Sequence, residues 1–438
     1  MMPGWSDLSA MWQDALICLA LLGPGAVAGL VVLRGFAPWA LVVAFLRRFV
    51  WTNLLFVILI AASVALGIGL VAQESALRMG GARAADKFDL LISAPGSELS
   101  VTLAAVFLQP TQLPLLDGST FAEIAASPGV ALAAPLVFGD SVGSAPIVGT
   151  TAAFVDHLAG PVAEGRVWQR AGEAIVGATV PLTLGDEFVP AHGHREAADQ
   201  DAHKGAPEHR VVGRMAATGT PWDRAILLPI ESVWKVHGLA TGHASDRAAQ
   251  MGPPFDAAFM PGVPVVVIKV ASLPATYAVQ SLWQLDARTI AVFPGAVLSG
   301  LYRVMGDVRV ALSAISALAQ GLVAVSILAG LLILLRLLRR QLALLRVLGA
   351  PARFVLSVVW SYCALLLAIG TLVGLAAGVG LAAALSVWVS GQTGVVIYAT
   401  IGWSELHLTA AFLSVVAVLS LLPGWVVSRN GNVADLRS

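Results

Sequence analysis

The stretch that decides the fold is VALSAISALAQGLVAVSILAGLLILLRLLRRQLALLRVLGAPARFVLSVVWSYCALLLAIGTLVGLAAGVGLAAALSVW, residues 310–388. It begins with a charge-free run from Val310 to Leu335, passes through a connection that holds arginines and no acidic residue, and enters a second charge-free run at Phe354. A helix needs about 20 apolar residues to cross the hydrocarbon core of a bilayer. The stretch therefore predicts two membrane-spanning helices joined by a short basic connection.

The composition of the whole chain also indicates a membrane protein. Of its 438 residues, 58% are apolar and only 12% are charged, whereas soluble domains carry roughly a quarter charged residues. Lys and Arg number 26, and so do Asp and Glu, which disfavours nucleic-acid binding through a basic face. The two cysteines, Cys18 and Cys363, lie in apolar runs, so a disulfide framework or a cysteine metal site is not expected.

Three further apolar runs complete the pattern. Phe49 to Gln73 is free of charge, and a last run covers about 406–427. A run from Ala15 to Leu33 is interrupted by Gly23-Pro24-Gly25, and it predicts either an extra span or a helix lying in the membrane interface. A signal peptide is not expected there, because only acidic charges precede the run.

The arginines predict the orientation. They cluster in 34–48 and in 336–353 with no acidic residue in either segment, and two more lie in the C-terminal tail. The segment between the last two spans has neither Lys nor Arg. Because basic residues favour the cytoplasmic side, all three basic segments are expected there, and residues 74–307 form an external insertion.

We therefore expect a membrane α-helical fold with four core transmembrane helices, an extra N-terminal one, and a large extracytoplasmic α+β domain. In that domain, Val265–Val270, Ala275–Leu285 and Thr289–Phe293 predict strand, helix and strand. The expected order is an N-terminal hydrophobic segment with a cytoplasmic basic elbow (1–48, extra span 15–33), first core helix (49–73), extracytoplasmic domain (74–307), second core helix (308–335), cytoplasmic coupling helix (336–353), third core helix (354–390), external loop (391–405), fourth core helix (406–427) and cytoplasmic tail (428–438).

The spans carry packing patterns and no charged side chains. Small residues recur every four positions in the first and third core spans, which lets helix backbones approach closely in lipid; they are Ala61, Ala65, Gly69, Gly370, Gly374 and Gly378. The spacing fits packing within one chain or the seam of a dimer. The absence of Asp, Glu, Lys and Arg from the span cores disfavours an ion-coupled transporter, which uses such residues.

The connection RLLRRQLALLRVLGAP, residues 336–351, predicts a short amphipathic basic helix closed by Gly-Ala-Pro. By itself it fits a helix held on anionic lipid. The longer segment RRQLALLRVLGAPARFVLSVV (339–359) resembles the cytoplasmic coupling segment of FtsX/MacB-type ABC transporter permeases. The order of one span, a large external domain and three spans is similar to that family, as are residues 47–150 and the ending LLPGWVVSRNGNVADLRS (421–438). The extra N-terminal run departs from the family pattern.

This resemblance implies a non-enzymatic permease subunit in the bacterial cytoplasmic (inner) membrane, with its large domain in the periplasm. The chain contains no G-x-x-x-x-G-K-[ST] phosphate loop, so ATP and Mg²⁺ are expected in a separate ABC ATPase subunit. A second permease copy and a periplasmic adaptor or substrate protein are further expected partners, besides the lipid bilayer. Leucines would supply apolar contact with the ATPase and arginines charge pairing, at Arg339, Arg340, Leu344, Leu345, Arg346, Leu348 and Gly349.

Two motifs in the external domain resemble chemical sites, one a metal site and the other a hydrolase site. Residues 185–210 are rich in histidine and carboxylates, which predicts either a solvated loop or a weak Zn²⁺ site linked to metal homeostasis; the histidines are His192, His194, His203 and His209. Gly139-Asp140-Ser141-Val142-Gly143 matches the G-x-S-x-G hydrolase pattern. It is followed by Ser-Ala-Pro, which cannot open the helix that the motif needs, so a turn between strands is predicted.

One alternative function remains open on the sequence. The chain could be a membrane-anchored sensor or binding protein whose external domain takes a ligand without any ATPase. The discriminating feature is the coupling segment, because a sensor has no use for an Ala-Leu-Leu-Arg-x-Leu-Gly-Ala helix at the cytoplasmic face.

Overall fold

The computed structural model of the chain describes residues 8–192, 208–337, 344–394, 396 and 402–422. The chain divides into two compact units. The first, which we name the membrane unit, comprises 1–76, 306–386 and 398–438, and the second, the external unit, comprises 77–305 and 387–397.

The helices follow the apolar pattern of the sequence. In chain order they are α1 (Ala10–Leu33), α2 (Trp39–Arg48), α3 (Val50–Ala85), α4 (Glu98–Phe107), α5 (Gly118–Ala125), α6 (Ala152–Ala159), α7 (Ile230–Val236), α8 (Leu273–Leu285), α9 (Pro294–Leu337), α10 (Ala352–Thr393) and α11 (Trp403–Leu419). The division between the two units falls inside α3, α9 and α10. Uninterrupted helix therefore connects the units three times.

Three helices, α1, α3 and α10, are long and apolar enough to cross a membrane. In α9 the apolar segment Gly321–Gly330 is shorter than a membrane span requires. α11 is also short, with 17 residues. The expected last span, 406–427, extends beyond residue 422, the last that the structure describes. The chain is thus a multi-span membrane protein, and the count of four core spans plus one stays a prediction.

The largest differences between the helix bounds and the expected spans are at the end of α3 and the start of α9. α3 has 36 residues, which corresponds to about 54 Å, and it ends at Ala85 instead of residue 73. α9 has 44 residues and begins at Pro294 instead of residue 308. The reason is that charged residues such as Arg78 and Arg303 mark where an apolar span ends but do not break a helix.

The N-terminal run forms one continuous helix despite Pro24. α1 packs along α11, where the backbone N–H of Gly25 donates to Ser414 Oγ at 2.9 Å. Near its start, His407 Nε2 donates to the backbone carbonyl oxygen of Asp14 at 2.9 Å. An interfacial helix needs one strongly polar face, and residues 15–33 offer none. α1 is long and apolar enough to cross a membrane, and the extra span stays a prediction.

The small residues of α10 face α3 within the same chain. A methyl group added at Gly374 would lie 2.8 Å from the carbonyl oxygen of Ala61, and one at Gly378 would lie 3.3 Å from the Cα of Ala65. A methyl group at Gly370 would lie 2.7 Å from Ile60 Cβ. Backbones this close need glycine. The stripe is therefore used for packing within one chain, the first of the two alternatives that the spacing left open.

Polar side chains also join the helices of the membrane unit. The buried hydroxyl of Tyr362 on α10 donates to the amide oxygen of Asn53 on α3. The indole N–H of Trp360, two residues earlier and on a different face of α10, donates to the carbonyl oxygen of Ala417 at 3.0 Å. Because buried polar groups cost free energy unless they are paired, these bonds define the register of α10 against its neighbours.

The external unit is an α+β structure, as expected. Its strands are β1 (Leu90–Ser93), β2 (Val130–Val142), β3 (Ala145–Thr150), β4 (Glu164–Gly165), β5 (Glu173–Val176), β6 (Glu187–Phe188), β7 (Ala191–His192), β8 (His209–Arg214), β9 (Ile226–Pro229), β10 (Val265–Val270) and β11 (Ile290–Val292). The order in the sheet is β11-β1-β10-β2-β3-β9-β5-β8-β4, with β6 beside β8 and β7 beside β2. The pairs β3–β9 and β5–β8 are parallel, and the other pairs are antiparallel.

Both faces of the sheet are covered by helices, which explains why its central strands are apolar throughout. Leu91 of β1 packs with α4 and α6 on one face, whereas its neighbours Leu90 and Ile92 pack with α5, α7 and α8 on the other. Alternate residues of β10 divide in the same way. The expected strand, helix and strand near the end of the unit are β10, α8 and β11.

The G-x-S-x-G motif lies in a hairpin. β2 ends at Val142, Gly143 turns with a φ of +57°, and β3 begins at Ala145. Ser141 is buried and lies opposite Pro146 in the ladder. No helix follows the serine, so the motif is a turn between strands, as the sequence predicts.

Candidate functional site

The predicted coupling segment ends in a glycine-closed helical turn. Residues 344–347 are helical, and the backbone N–H groups of Gly349 and Ala350 donate to the carbonyl oxygens of Arg346 and Leu345 at 3.1 and 2.9 Å. Gly349 has a φ of +91°. This pair of bonds is the Schellman closure of a helix, which favours glycine at that position. Gly349 therefore shapes the turn, and Arg339 and Arg340 lie outside the described residues.

An apolar patch is exposed on this turn. Leu344, Val347 and Leu348 are 51, 59 and 82% exposed. Residues three and four apart lie on one face of a helix, so the three side chains form one surface, which we name the coupling patch. Val347 was not among the predicted contact residues, although its spacing from Leu344 was a usable signal.

Leu345, in contrast, points into the protein's own core. It is half-buried against a cluster that joins α2 to α10 and includes Val42, Phe45 and Val355. Leu345 thus packs within the membrane unit, and its contact with an ATPase stays a prediction. The consequence is that the coupling turn is held rigidly against the start of α10 and the basic elbow helix α2.

The connection between α10 and α11 belongs to the external unit. Residues 387–397 fall in that unit, where the N–H of Val396 donates to the carbonyl oxygen of Gly219 at 3.1 Å. Gly394, with a φ of +71°, lies against Arg224, whose guanidinium pKa is lowered by burial. The short external loop 391–405 stays a prediction, because residues 395 and 397–401 lie outside the described part of the chain.

The docking region is held in shape by a buried carboxylate. Asp223 accepts hydrogen bonds from the backbone N–H groups of Thr218 and Gly219, both at 2.8 Å, and from the hydroxyl of Thr218 at 2.7 Å. These bonds define the conformation of the loop that presents the Gly219 carbonyl to Val396. The carbonyl oxygen of Gly219 is therefore held in place to accept the hydrogen bond from Val396.

We expect a disulfide to form across this attachment when Gly219 and Val396 are both replaced by cysteine, in a chain that also carries Cys18→Ala and Cys363→Ala. A Cβ added at Gly219 would lie 3.7 Å from Val396 Cβ, and disulfides have a Cβ–Cβ distance of about 3.8 Å. Mild oxidation followed by non-reducing electrophoresis and mass spectrometry measures the yield. The matched control pairs Gly238→Cys with Val396→Cys, because Gly238 has the same φ of +70° and no atom within 4 Å of its added Cβ. Equal yields in the two pairs would contradict the docked segment.

The ends of α3 and α9 also contact each other within the external unit. The Tyr302 hydroxyl donates to the carbonyl oxygen of Leu77 at 3.3 Å, and the Arg78 guanidinium lies 5.9 Å from the centre of the Tyr302 ring. A methyl group at Gly81 would overlap the Tyr302 hydroxyl. The two long helices are therefore packed side by side where they enter this unit.

The histidine-rich segment is described only at its ends. His192 lies in β7 and pairs with Asp140 in the ladder, whereas His194 and His203 lie outside the described residues. His209, in β8, is buried, and its ring stacks on Phe188 with 5.7 Å between ring centres. Within the described part of the chain, no three His, Cys, Asp or Glu side chains form a metal-binding group. The four-histidine Zn²⁺ site stays a prediction.

Apolar spanning helices joined to a sheet-based external unit define a multi-span membrane protein with a large domain outside the bilayer. Residues 313–432 match the family model described as FtsX-like permease C-terminal. This range contains the coupling turn, α10 and α11. The predicted resemblance to FtsX/MacB-type ABC transporter permeases is confirmed by this match, which covers residues 313–432 of the chain.

Two solved structures are similar to part of the chain. One is the periplasmic region of MacB from Actinobacillus actinomycetemcomitans, at 10% identity and a TM-score of 0.30, covering 49% of this chain and 94% of that one. The other is the extracellular domain of the noncanonic ABC-type transporter YknZ from Gram-positive bacteria, at 10% identity and a TM-score of 0.28, covering 46% and 98%. No curated protein matches the chain. No residue role is carried over from either structure.

Proposed function

We propose that the chain is the permease subunit of an ABC transporter in the bacterial inner membrane, with the external unit in the periplasm. The observation that carries the proposal is the FtsX-like domain at 313–432, which contains a rigid turn with an exposed apolar patch. A separate ATPase subunit binds the coupling patch through its leucines and valine. The neighbouring arginines of the segment speed the encounter by charge attraction.

The work of the ATPase is passed through the chain as motion. Displacement of the coupling turn moves α10 through the Leu345 contact, because that side chain packs in the cluster shared by α2 and α10. The helices α3, α9 and α10 continue into the external unit without a break. Span cores without charged residues suit this mechanical role better than ion-coupled transport. The result is export, extraction or mechanical signalling by the external unit.

A second copy of the permease completes the membrane part. On α9, Leu318, Leu322 and Val325 are each more than 60% exposed. Their spacing of four and three residues is that of a helix-pairing seam. The glycine stripe of α10 is already occupied by α3, so the α9 face is the better candidate for the contact between copies.

The test is affinity purification of the tagged chain from native membranes in mild detergent, followed by identification of the proteins that accompany it. An ABC ATPase subunit is expected in about equal amount to the permease. If no ATPase accompanies the chain, the proposal fails. The alternative, a membrane-anchored sensor with an external ligand-binding domain, would then be taken up.

A further inference from the structure

An open cavity lies along the end of α1 in the membrane unit. It has a volume of about 480 Å³, and its lining consists of Gly29, Leu30, Val31, Leu33 and Arg34. Leu30 and Val31 are 74 and 70% exposed, so the wall is apolar, and Arg34 is the one charged side chain among the five. An apolar surface that ends in a cation matches a phospholipid, whose chains are apolar and whose phosphate is anionic.

The segment that carries Arg34 is held in place by α10. Before it, α1 packs so closely on α10 that a methyl group added at Gly29 would lie 2.8 Å from the Trp360 ring. After it, the Phe36 ring meets the Phe354 ring edge-on, with 5.8 Å between ring centres. The backbone on both sides of Arg34 is therefore fixed against the same helix, and the guanidinium starts from a defined position at the mouth of the cavity.

The chain supplies no carboxylate for this arginine. No Asp or Glu occurs in 15–73 or in 308–404, and Asp14 lies near the other end of α1, about 30 Å away along the helix. Within the described part of the chain, the Arg34 guanidinium forms no ion pair and no hydrogen bond. A zwitterionic headgroup would bring an ammonium that this site has no carboxylate to bind, whereas an anionic headgroup brings only groups that a guanidinium binds. The charge therefore favours an anionic lipid.

The helix after this segment carries further features of the membrane interface. α2 buries Val42 against α10, while Trp39 and Val43 are 52 and 42% exposed. Its last turn holds Arg47 and Arg48. Tryptophan beside an apolar surface is typical of the interface between hydrocarbon and water, and arginines there attract anionic lipid. α2 therefore raises the local amount of anionic lipid beside the cavity.

We propose that this cavity binds one anionic glycerophospholipid from the membrane leaflet at the basic end of α1. The lipid phosphate pairs with the Arg34 guanidinium, and an acyl chain lies along Leu30 and Val31. The proposal rests on α1 crossing the membrane, for which this helix is long and apolar enough, and it is independent of an ATPase partner. The bound lipid covers the exposed side of α1 and stabilises the attachment of this helix to the membrane unit.

The test adds phosphatidylglycerol or phosphatidylethanolamine to the full chain in mild detergent, and native mass spectrometry measures the lipid that stays bound. Arg34→Gln is expected to weaken the binding of phosphatidylglycerol about fivefold, and Arg34→Lys is expected to keep most of it because the charge is kept. Arg47→Gln is the matched control, because Arg47 is an exposed arginine of the same basic segment and does not line the cavity. Phosphatidylethanolamine is expected to bind equally weakly to all four chains.

A second measurement needs no substitution and separates the lipid from a free anion. The temperature at which half of the detergent-solubilised chain is lost is expected to rise by a few degrees with phosphatidylglycerol and to stay unchanged with inorganic phosphate at the same concentration. An equal rise with inorganic phosphate overturns the proposal in favour of a free-anion site.

Two other results would also overturn it. If Arg34→Gln retains as much phosphatidylglycerol as the unaltered chain, Arg34 only complements the C-terminal end of α1. If Arg47→Gln loses as much lipid as Arg34→Gln, or if phosphatidylethanolamine binds as well as phosphatidylglycerol, the retained lipid is an unselective shell around the protein.

Discussion

We expect Leu348→Asp to remove the proposed ATPase subunit from the purified permease. Leu348 is 82% exposed at the tip of the coupling turn, so its side chain contributes little to the fold of the free chain. Burying a leucine in a partner groove is worth about 1.5–3 kcal/mol, and a carboxylate in its place adds a desolvation cost. We expect binding to weaken by about a hundredfold, measured as the ATPase retained on the tagged chain and as ATP hydrolysis in lipid nanodiscs.

The matched control for this change is Leu285→Asp. Leu285 is 84% exposed at the end of α8 in the external unit, so the substitution repeats the loss of an exposed leucine far from the coupling turn. ATPase retention is expected to stay at the level of the unaltered chain. Equal loss in the two variants, or full retention in Leu348→Asp, would show that the coupling patch is not the ATPase contact. Leu345 is unsuitable for this test, because it packs inside the membrane unit.

Gly374→Leu disrupts the membrane unit. Even the first carbon of the new side chain would lie 2.8 Å from the backbone carbonyl oxygen of Ala61 and 2.8 Å from Val64 Cβ. Because one of these neighbours is backbone, α3 and α10 must move apart to admit the side chain. Overpacking of this kind costs about 1–3 kcal/mol, and occasionally more. We expect a lower yield of folded protein and a fall of several degrees in the temperature at which half of the detergent-solubilised chain is lost.

Gly380→Leu provides the control on the same helix. Nothing lies within 4 Å of a Cβ built at Gly380, so the same change in residue type meets open space two turns away. Leucine also favours helix over glycine by up to about 1 kcal/mol. Yield and thermal midpoint are expected to equal or exceed those of the unaltered chain. If Gly380→Leu lowers the yield and the thermal midpoint as much as Gly374→Leu does, the effect comes from replacing a glycine and not from the contact with α3.

Local patterns were sufficient to predict much of this architecture. The apolar run of β10, the turn residues after it and the helical period of α8 can each be recognised within a few residues of sequence. The glycine that ends the coupling turn can be recognised in the same way. The stripe of small residues on α10 was recognisable, yet its partner was not, because spacing within one helix does not tell which helix faces it. Only the contacts of Gly374 with α3 decide that question.

The features that the sequence did not reveal depend on contacts between distant residues. The segment around Val396 is apolar and uncharged, and nothing in it indicates that its backbone bonds to Gly219. The charged residues after residue 73 end the apolar span but not α3, so charge alone does not predict that the helix continues to Ala85. Leu345 and Val347 are both apolar residues of the same short turn, so the sequence does not distinguish them. In the structure Leu345 packs against α2, whereas Val347 is exposed.

The contact between α1 and α11 has a consequence for biosynthesis. Gly25 and Ser414 are separated by 389 residues, and a ribosome that adds about 5–20 residues per second makes them roughly 20 to 80 seconds apart. During that interval the first helix has lipid as its neighbour and lacks the helix it will pack on. Because residues 15–33 carry no charged side chain, the helix is stable in contact with lipid during this interval. The contact of α1 with α11 therefore forms only after Trp403–Leu419 has been made.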